Sequence, residues 1–146
     1  MNKHGYMYVR LDSLLYTLHR IIWKMVTGRE PKHIDHINGC RVDNRICNLR
    51  EVTRNQNNRS IGLTKANTSG YVGVCYSTRD RKWIASISLN KKKLAIGMFS
   101  DKREAVEAYN RKALEFHGEY AMRKVQSNLL MLSKEYGGNH ERKETL

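Results

Sequence analysis

The sequence predicts an α+β protein that is built from two small modules, and three observations lead to this prediction. Apolar residues recur at helical spacing between Leu18 and Val26, which indicates an amphipathic helix. Apolar and polar residues alternate between Trp83 and Leu89, as they do in a strand with one buried face. The intervening residues 60–69 are rich in Gly, Ser, Thr, Asn and Lys, a composition typical of a linker. A chain of 146 residues has room for two such modules.

The first module begins with two short strand-like segments, residues 6–10 and 14–18. The helix that follows them is expected to stop near Gly28, before the single proline of the chain. Gly39 offers a tight turn between two short extended runs. Beyond that turn, Thr53 is a candidate N-cap for a short polar helix.

The second module contains three strand-like segments and one helix, over residues 71–76, 83–89, 93–99 and 101–117. Polar turns join the strands, and the helix carries an apolar stripe. We therefore predict a three-stranded antiparallel sheet with one packing helix across its apolar face. The predicted organisation is a first domain over 1–62, a linker over 63–68, a second domain over 69–126 and a partly disordered tail over 127–146.

The charge of the chain favours a polyanion as its partner. Lys and Arg number 27 and Asp and Glu number 14, so the formal net charge is +13 at pH 7. Such an excess attracts phosphate backbones regardless of their sequence. An anionic membrane is the competing partner, but the chain has no apolar run long enough to span a bilayer, and its first residues lack the apolar run of a signal peptide. We expect a soluble protein that does not bind membranes.

Three cysteines, Cys40, Cys47 and Cys75, form no C-x-x-C pair, which argues against a disulfide scaffold or a zinc ribbon. Cys40 and Cys47 lie close enough in the sequence to join around a short loop, through a disulfide or a structural metal. The alternative is that the thiols are reduced and partly buried.

The segment with the clearest chemistry is His33-Ile34-Asp35-His36-Ile37-Asn38-Gly39, with Asp43-Asn44-Arg45 and Asn48-Leu49-Arg50 after it. Hydrolysis of a phosphodiester needs an activated water, neutralisation of charge at phosphorus and stabilisation of the departing oxygen. A histidine can activate the water as a general base. A divalent ion held by carboxylate or amide oxygens can supply the rest.

This segment resembles the HNH endonucleases, and specifically the phage and intron-associated homing type in which asparagine replaces the final histidine. The resemblance covers about residues 5–60 and includes the motifs His19-Arg20-Ile21-Ile22-Trp23, Ile34-Asp35-His36-Ile37-Asn38-Gly39, Asn48-Leu49-Arg50 and Asn57-Asn58. It implies a ββα-metal fold, in which two strands and a helix enclose one metal ion.

The resemblance also implies the site residues. Asp35 would be the first metal ligand, and His36 would be the base that activates water. Asn48, twelve residues after His36, would hold the loop that orients it. Asn57 would be the last metal ligand, with Asn58 as an alternative one residue along. Asparagine at the last position favours magnesium or manganese over zinc, and nicking over a double-strand cut.

Plainer interpretations stand beside these. Asp35 and His36 could form a hydrogen-bonded surface pair in a turn, and His33 could be a solvated loop histidine. The arginines of this module could form a solvated face, although a basic module makes phosphate contact at least as good an interpretation. From them we take Arg20, Arg45 and Arg54 as candidate DNA contacts.

The second module is similar to the DNA-binding domain of the APETALA2/ethylene-response-factor type, on the motifs Ser69-Gly70-Tyr71-Val72-Gly73-Val74, Lys82-Trp83-Ile84-Ala85, Ile96-Gly97-Met98-Phe99 and Glu104-Ala105-Val106-Glu107-Ala108-Tyr109. The resemblance implies that the sheet lies in the major groove of DNA. The plant domain has arginine, glutamate and tryptophan where this chain has Cys75, Ser86, Ser88 and Ala95, so its target specificity is not carried over. The candidate contacts are Arg79, Arg81, Lys82, Ser86, Ser88, Lys91 and Lys93. Trp83 is interpreted as a core residue, and a protein-binding sheet is the alternative.

Together these observations predict a metal-dependent DNA endonuclease that nicks duplex DNA and leaves 5′-phosphate and 3′-hydroxyl ends. We expect a monomer without a small-molecule substrate, in the cytoplasm (of a host cell if it is phage-encoded). The alternatives are a non-catalytic DNA-binding regulator with a structural HNH-like module, and an RNA-binding accessory protein. The second lacks exposed aromatic residues on the predicted sheet.

Overall fold

In a computed structural model, which describes residues 5–63, 67–90 and 92–137, the chain divides into two compact units, Met1–Asn58 and Arg59–Leu146. Both units mix helices with antiparallel strands, and the second contains the predicted three-stranded sheet. Across the described parts of the chain, every helix is too short or too polar to cross a membrane.

The first unit contains the elements β1 (Tyr8–Leu11), β2 (Leu14–Thr17), α1 (Leu18–Thr27), β3 (Ile34–His36) and β4 (Leu49–Glu51), and α2 (Arg54–Ser60) begins within it. The strands pair as two antiparallel hairpins, β1 with β2 and β3 with β4. The first hairpin closes through Asp12 and Ser13, which both have positive φ, the turn geometry that matches the twist of a hairpin.

Local chemistry explains where the helices of this unit begin and end. Gly28 adopts a left-handed conformation after α1 and donates its N–H to the Lys24 carbonyl, as the sequence predicts. Thr53 and Gln56 form a reciprocal capping box at the start of α2, since each backbone N–H donates to the other's side chain.

The second unit contains β5 (Val74–Ser77), β6 (Lys82–Leu89), β7 (Lys92–Phe99), α3 (Lys102–His117) and α4 (Met122–Tyr136). The strands form an antiparallel sheet in the order β5-β6-β7. Asp101 caps α3 by accepting hydrogen bonds from the N–H groups of Arg103 and Glu104. The core lies between one face of the sheet and the helices, and Ala85, Ile87, Val106 and Tyr109 are buried there.

The sequence analysis assigned one helix to this core, whereas α4 is a second helix and runs ten residues past the predicted end of the domain at 126. Its sequence looks polar because a buried asparagine takes a core position. Asn128 accepts from the Val72 N–H and donates to the Val72 carbonyl and to Asn110. The Tyr71 hydroxyl donates to Glu135 near the end of α4. The predicted disorder after Gly138 and the middle of the predicted linker, residues 64–66, lie outside the described residues.

Candidate functional site

The predicted loop-holding residue, Asn48, is buried immediately before β4. Its side-chain oxygen accepts from the Asn38 N–H at 3.0 Å, and its amide group donates to the Asn38 side chain and to the Asp43 carbonyl. Its backbone carbonyl accepts from the Ile37 N–H, the residue after His36. Asn48 therefore ties the chain that follows β3 to the chain that precedes β4.

The imidazole of His36 is enclosed by three side chains of the first unit. His36 is 3% exposed, and its Nε2 lies 3.1 Å from Oδ1 of Asn44. The ring of His19 meets the ring of His36 edge-on with centroids 5.2 Å apart, and the Tyr6 ring lies 6.0 Å away. The residue is thus held in a fixed environment, and it differs from a solvated surface histidine.

His19 is a neutral neighbour for His36 at physiological pH. Burial, together with the charges of His36 and Arg20, lowers the pKa of His19 to about 4. A ring that stays uncharged there does not repel a positive charge that forms on His36.

Asp35, the predicted first metal ligand, is buried beside His36 on β3. Its Oδ2 accepts hydrogen bonds from Nη2 and Nε of Arg50 at 2.9 and 3.1 Å, across the β3–β4 pair. A carboxylate this deeply buried needs such a partner to stay ionised. Arg50 therefore keeps a negative charge available inside the protein.

Asp35 and Asn57, which lies half-buried on α2, are the residues predicted to hold a metal. They offer a carboxylate and an amide oxygen, which are donors that suit Mg²⁺ or Mn²⁺ rather than zinc. Among the described residues, no group of three or more His, Cys, Asp and Glu side chains is arranged to hold an ion. The donor set fits a hard cation that takes its other ligands from water and phosphate.

The three arginines predicted to contact DNA in this unit differ in their partners. Arg20 donates to the Pro31 carbonyl at 2.7 Å, which ties α1 to the segment before β3. Arg45 forms a two-pronged ion pair with Asp43, and this holds the pKa of Asp43 well below its usual range. Arg54 is exposed at the start of α2.

The second candidate surface is the face of the sheet opposite the core, here called the outer sheet face. Its β6 residues are Lys82, Ile84, Ser86 and Ser88, which alternate with the buried Ala85 and Ile87. Across β7, Lys93 lies opposite Ser88 and Ala95 lies opposite Ser86. Ser88, Lys93 and Ala95 are exposed, so side chains at this end of the face are accessible to a partner.

The remaining predicted contacts flank this face. Arg79 and Arg81 are exposed in the turn between β5 and β6, and Lys91 lies outside the described residues. Trp83 packs against the core, as the alternation predicts, with its ring 5.1 Å from that of Tyr76.

The cysteines are free and exposed rather than partly buried. Cys40 and Cys47 therefore do not form the disulfide that the sequence left open.

The sequence analysis missed three residues around His36, namely Tyr6, His19 and Asn44. Asn44 stands inside a quoted motif, but only the folded loop shows that its side chain reaches His36. Tyr6 and His19 come from the strand and helix that precede the motif. A search for polar residues within one contiguous segment could not have found them.

Comparison with known proteins agrees with this geometry. Residues 16–59 match the family model described as HNH endonuclease, and this match includes all the residues predicted for catalysis and metal binding. The chain is 30% identical over 105 residues to Protein 3.8 of Escherichia phage T7, which covers 70% of this chain and 86% of that protein. No solved structure gives a significant match. The chain therefore belongs to the same family as the phage T7 Protein 3.8 and carries an HNH endonuclease domain over residues 16–59.

Proposed function

We propose that the protein is a metal-dependent DNA endonuclease that nicks duplex DNA. The observation that carries this proposal is the buried His36 imidazole, which lies beside the ion-paired Asp35 within the HNH match. The order of β3, β4 and α2 supports a ββα-metal arrangement, because it is the order of strand, strand and helix that the resemblance implies.

The His36 imidazole takes a proton from the attacking water. The water oxygen then forms a bond to phosphorus as the bond from phosphorus to the 3′ oxygen breaks. The 3′ oxygen takes a proton from solvent, which gives 5′-phosphate and 3′-hydroxyl ends. Asn48 positions His36 through the loop that it holds.

Asp35 and Asn57 would hold Mg²⁺ or Mn²⁺. A bound divalent ion supplies positive charge for the phosphate and for the departing oxygen. Arg50 keeps the Asp35 carboxylate ionised and limits the directions from which Oδ2 is accessible. One HNH domain per chain favours a monomer that cuts one strand, and double-strand cutting would need two copies or two encounters.

The proposal is tested by incubating the full chain with supercoiled plasmid in magnesium, manganese or EDTA. We expect metal-dependent conversion to open circles, because one site cuts one strand. Linear product formed in a single encounter would contradict nicking. A retained gel shift without cleavage under any ion would favour the non-catalytic regulator instead.

The second unit is proposed to hold the protein on DNA through the outer sheet face, as an APETALA2/ethylene-response-factor-like module. Its long basic residues lie at the two ends of β6, with Arg79, Arg81 and Lys82 at one end and Lys93 at the other. Short side chains between these ends, such as Ser86 and Ala95, let the backbone approach a duplex. This distribution of charge favours nucleic acid over a protein partner.

Replacement of both Lys82 and Lys93 by alanine should weaken DNA binding and reduce its salt dependence. Each lost phosphate contact lowers the slope of log K against log salt by about one unit, so we expect a decrease of about two. Fluorescence anisotropy with a labelled duplex over a salt series measures this slope. Lys134→Ala, which removes an exposed charge from α4, is the matched control and should leave the slope unchanged. An equal change in both proteins would place the binding surface elsewhere.

A further inference from the structure

We propose that Asn44 is a positioning residue that fixes the tautomer of His36 and thereby makes Nδ1 the atom that takes the proton. This inference rests on the proposed function, because it assigns an atom to the role of base. It concerns a residue outside the set of Asp35, His36, Asn48 and Asn57 to which the resemblance gives roles.

The contact between the two side chains is buried. Oδ1 of Asn44 lies 3.1 Å from Nε2 of His36, and the two residues are 7% and 3% exposed. At such burial an unmatched pair of polar atoms is costly, so one of these two atoms must carry a proton and the other must accept it.

The orientation of the Asn44 amide decides which atom is the donor. Its Nδ2 donates to the Val42 carbonyl at 3.2 Å and lies 3.5 Å from Sδ of Met7. If the amide were reversed, its oxygen would face the Val42 carbonyl, and two acceptors would meet without a proton between them. Oδ1 therefore faces His36, and Nε2 of His36 must be the donor.

A neutral imidazole carries one proton, so a ring that holds it on Nε2 has its lone pair on Nδ1. This ring's contact with Asn44 is its only hydrogen bond within the described residues. Nδ1 is thus left to accept the proton that the attacking water gives up. In the opposite tautomer Nδ1 would already carry a proton, and the base would be aimed at Asn44.

Ring packing helps to keep this arrangement. The edge-on contact with His19 and the neighbouring Tyr6 ring restrict rotation of the His36 imidazole about its side-chain bonds. A ring flip would exchange the two nitrogens and break the bond to Asn44. The contacts with His19, Tyr6 and Asn44 therefore favour the same ring orientation.

The tautomer is measured without any cleavage reaction. Long-range ¹H–¹⁵N spectra of the metal-free full chain, labelled at histidine nitrogens, are recorded at least one unit above the imidazole pKa of about 6.5. His36→Ala identifies the His36 signals among the six histidines by their disappearance. We expect the proton on Nε2 in the wild type. A proton on Nδ1 would overturn the proposal, and this measurement needs no Asn44 substitution to fold.

The role of Asn44 is tested by Asn44→Leu, which removes the acceptor. We expect a mixture of His36 tautomers and a kcat that falls on the order of 10–100-fold, with DNA affinity unchanged. Asn44→Asp keeps an acceptor for Nε2–H and should retain most of the cleavage that Asn44→Leu loses. Asn55→Leu, at an exposed position of α2, is the control for an added leucine.

The outcomes separate this inference from the proposed function. Wild-type kcat in a folded Asn44→Leu variant, beside an inactive His36→Ala variant, would overturn the role of Asn44 and leave the nuclease intact. Normal cleavage by His36→Ala would overturn the proposed function, whatever the wild-type spectrum shows.

Discussion

The full chain with His36→Ala should lose cleavage of supercoiled plasmid while it binds DNA within about 1 kcal/mol of the wild type. A general base acts in the transition state, so its removal lowers kcat without a matching loss of binding. Positioned bases contribute about 10²–10⁴-fold to a rate, and we expect a loss in that range or larger. Single-turnover cleavage and fluorescence anisotropy measure the two quantities on one preparation.

Two further variants make this result specific. His33→Ala removes a half-buried histidine before β3 and should cut at nearly the wild-type rate. His36→Gln fills more of the buried space than alanine does, so it controls for a cavity at a residue that is 3% exposed. A parallel loss of binding and cleavage in both His36 variants would make the residue structural and would remove it from the mechanism.

Local patterns in the sequence explain much of the first unit. The helical spacing after Leu18 and the glycine at 28 predict α1, and Thr53 predicts the start of α2, because capping and periodicity are set by near neighbours. The environment of His36 depends on residues distant in the chain. Asn44, eight residues away, and Tyr6, thirty residues away, reach the ring only after the hairpins form.

The second unit shows a similar limit. Alternation along β6 predicts its buried face correctly, because a strand has a period of two. The helix α4 escapes the same reasoning, since a buried asparagine and a glutamate make it resemble a polar tail. Asn128 is fully buried because Val72 and Asn110 satisfy its amide. Composition alone cannot reveal such a match, which needs partners from other elements.

Gly73→Ala should be the most destabilising single substitution of this kind in the second unit. Gly73 has φ +77°, and an added Cβ would lie 2.0–2.6 Å from ring atoms of Tyr109, a buried residue of α3. The left-handed conformation costs about 1–2 kcal/mol for a residue with a side chain. Overpacking against a ring in the core adds about 1–3 kcal/mol, so we expect a total of about 2–5 kcal/mol.

Gly70→Ala separates the two causes. Gly70 has nearly the same φ, +80°, but an added Cβ would meet only the Met131 methyl at an ordinary 3.5 Å. This variant should lose the backbone contribution alone. Thermal unfolding followed by Trp83 fluorescence, in a Trp23→Phe background, reports the second unit in both variants. Equal losses in the two variants would mean that the Tyr109 ring moves aside.

The same substitution links packing to binding. The Gly73 carbonyl accepts the Ser86 N–H at 2.9 Å, and the Ser86 side chain belongs to the outer sheet face. When the Tyr109 ring forces this backbone away from α3, it also displaces the strand that presents Ser86. Gly73→Ala should therefore weaken DNA binding more than Gly70→Ala does, even at temperatures where both variants remain folded. Equal affinities in anisotropy at such a temperature would show that the face tolerates this shift, and would move the contacts toward the ends of the sheet.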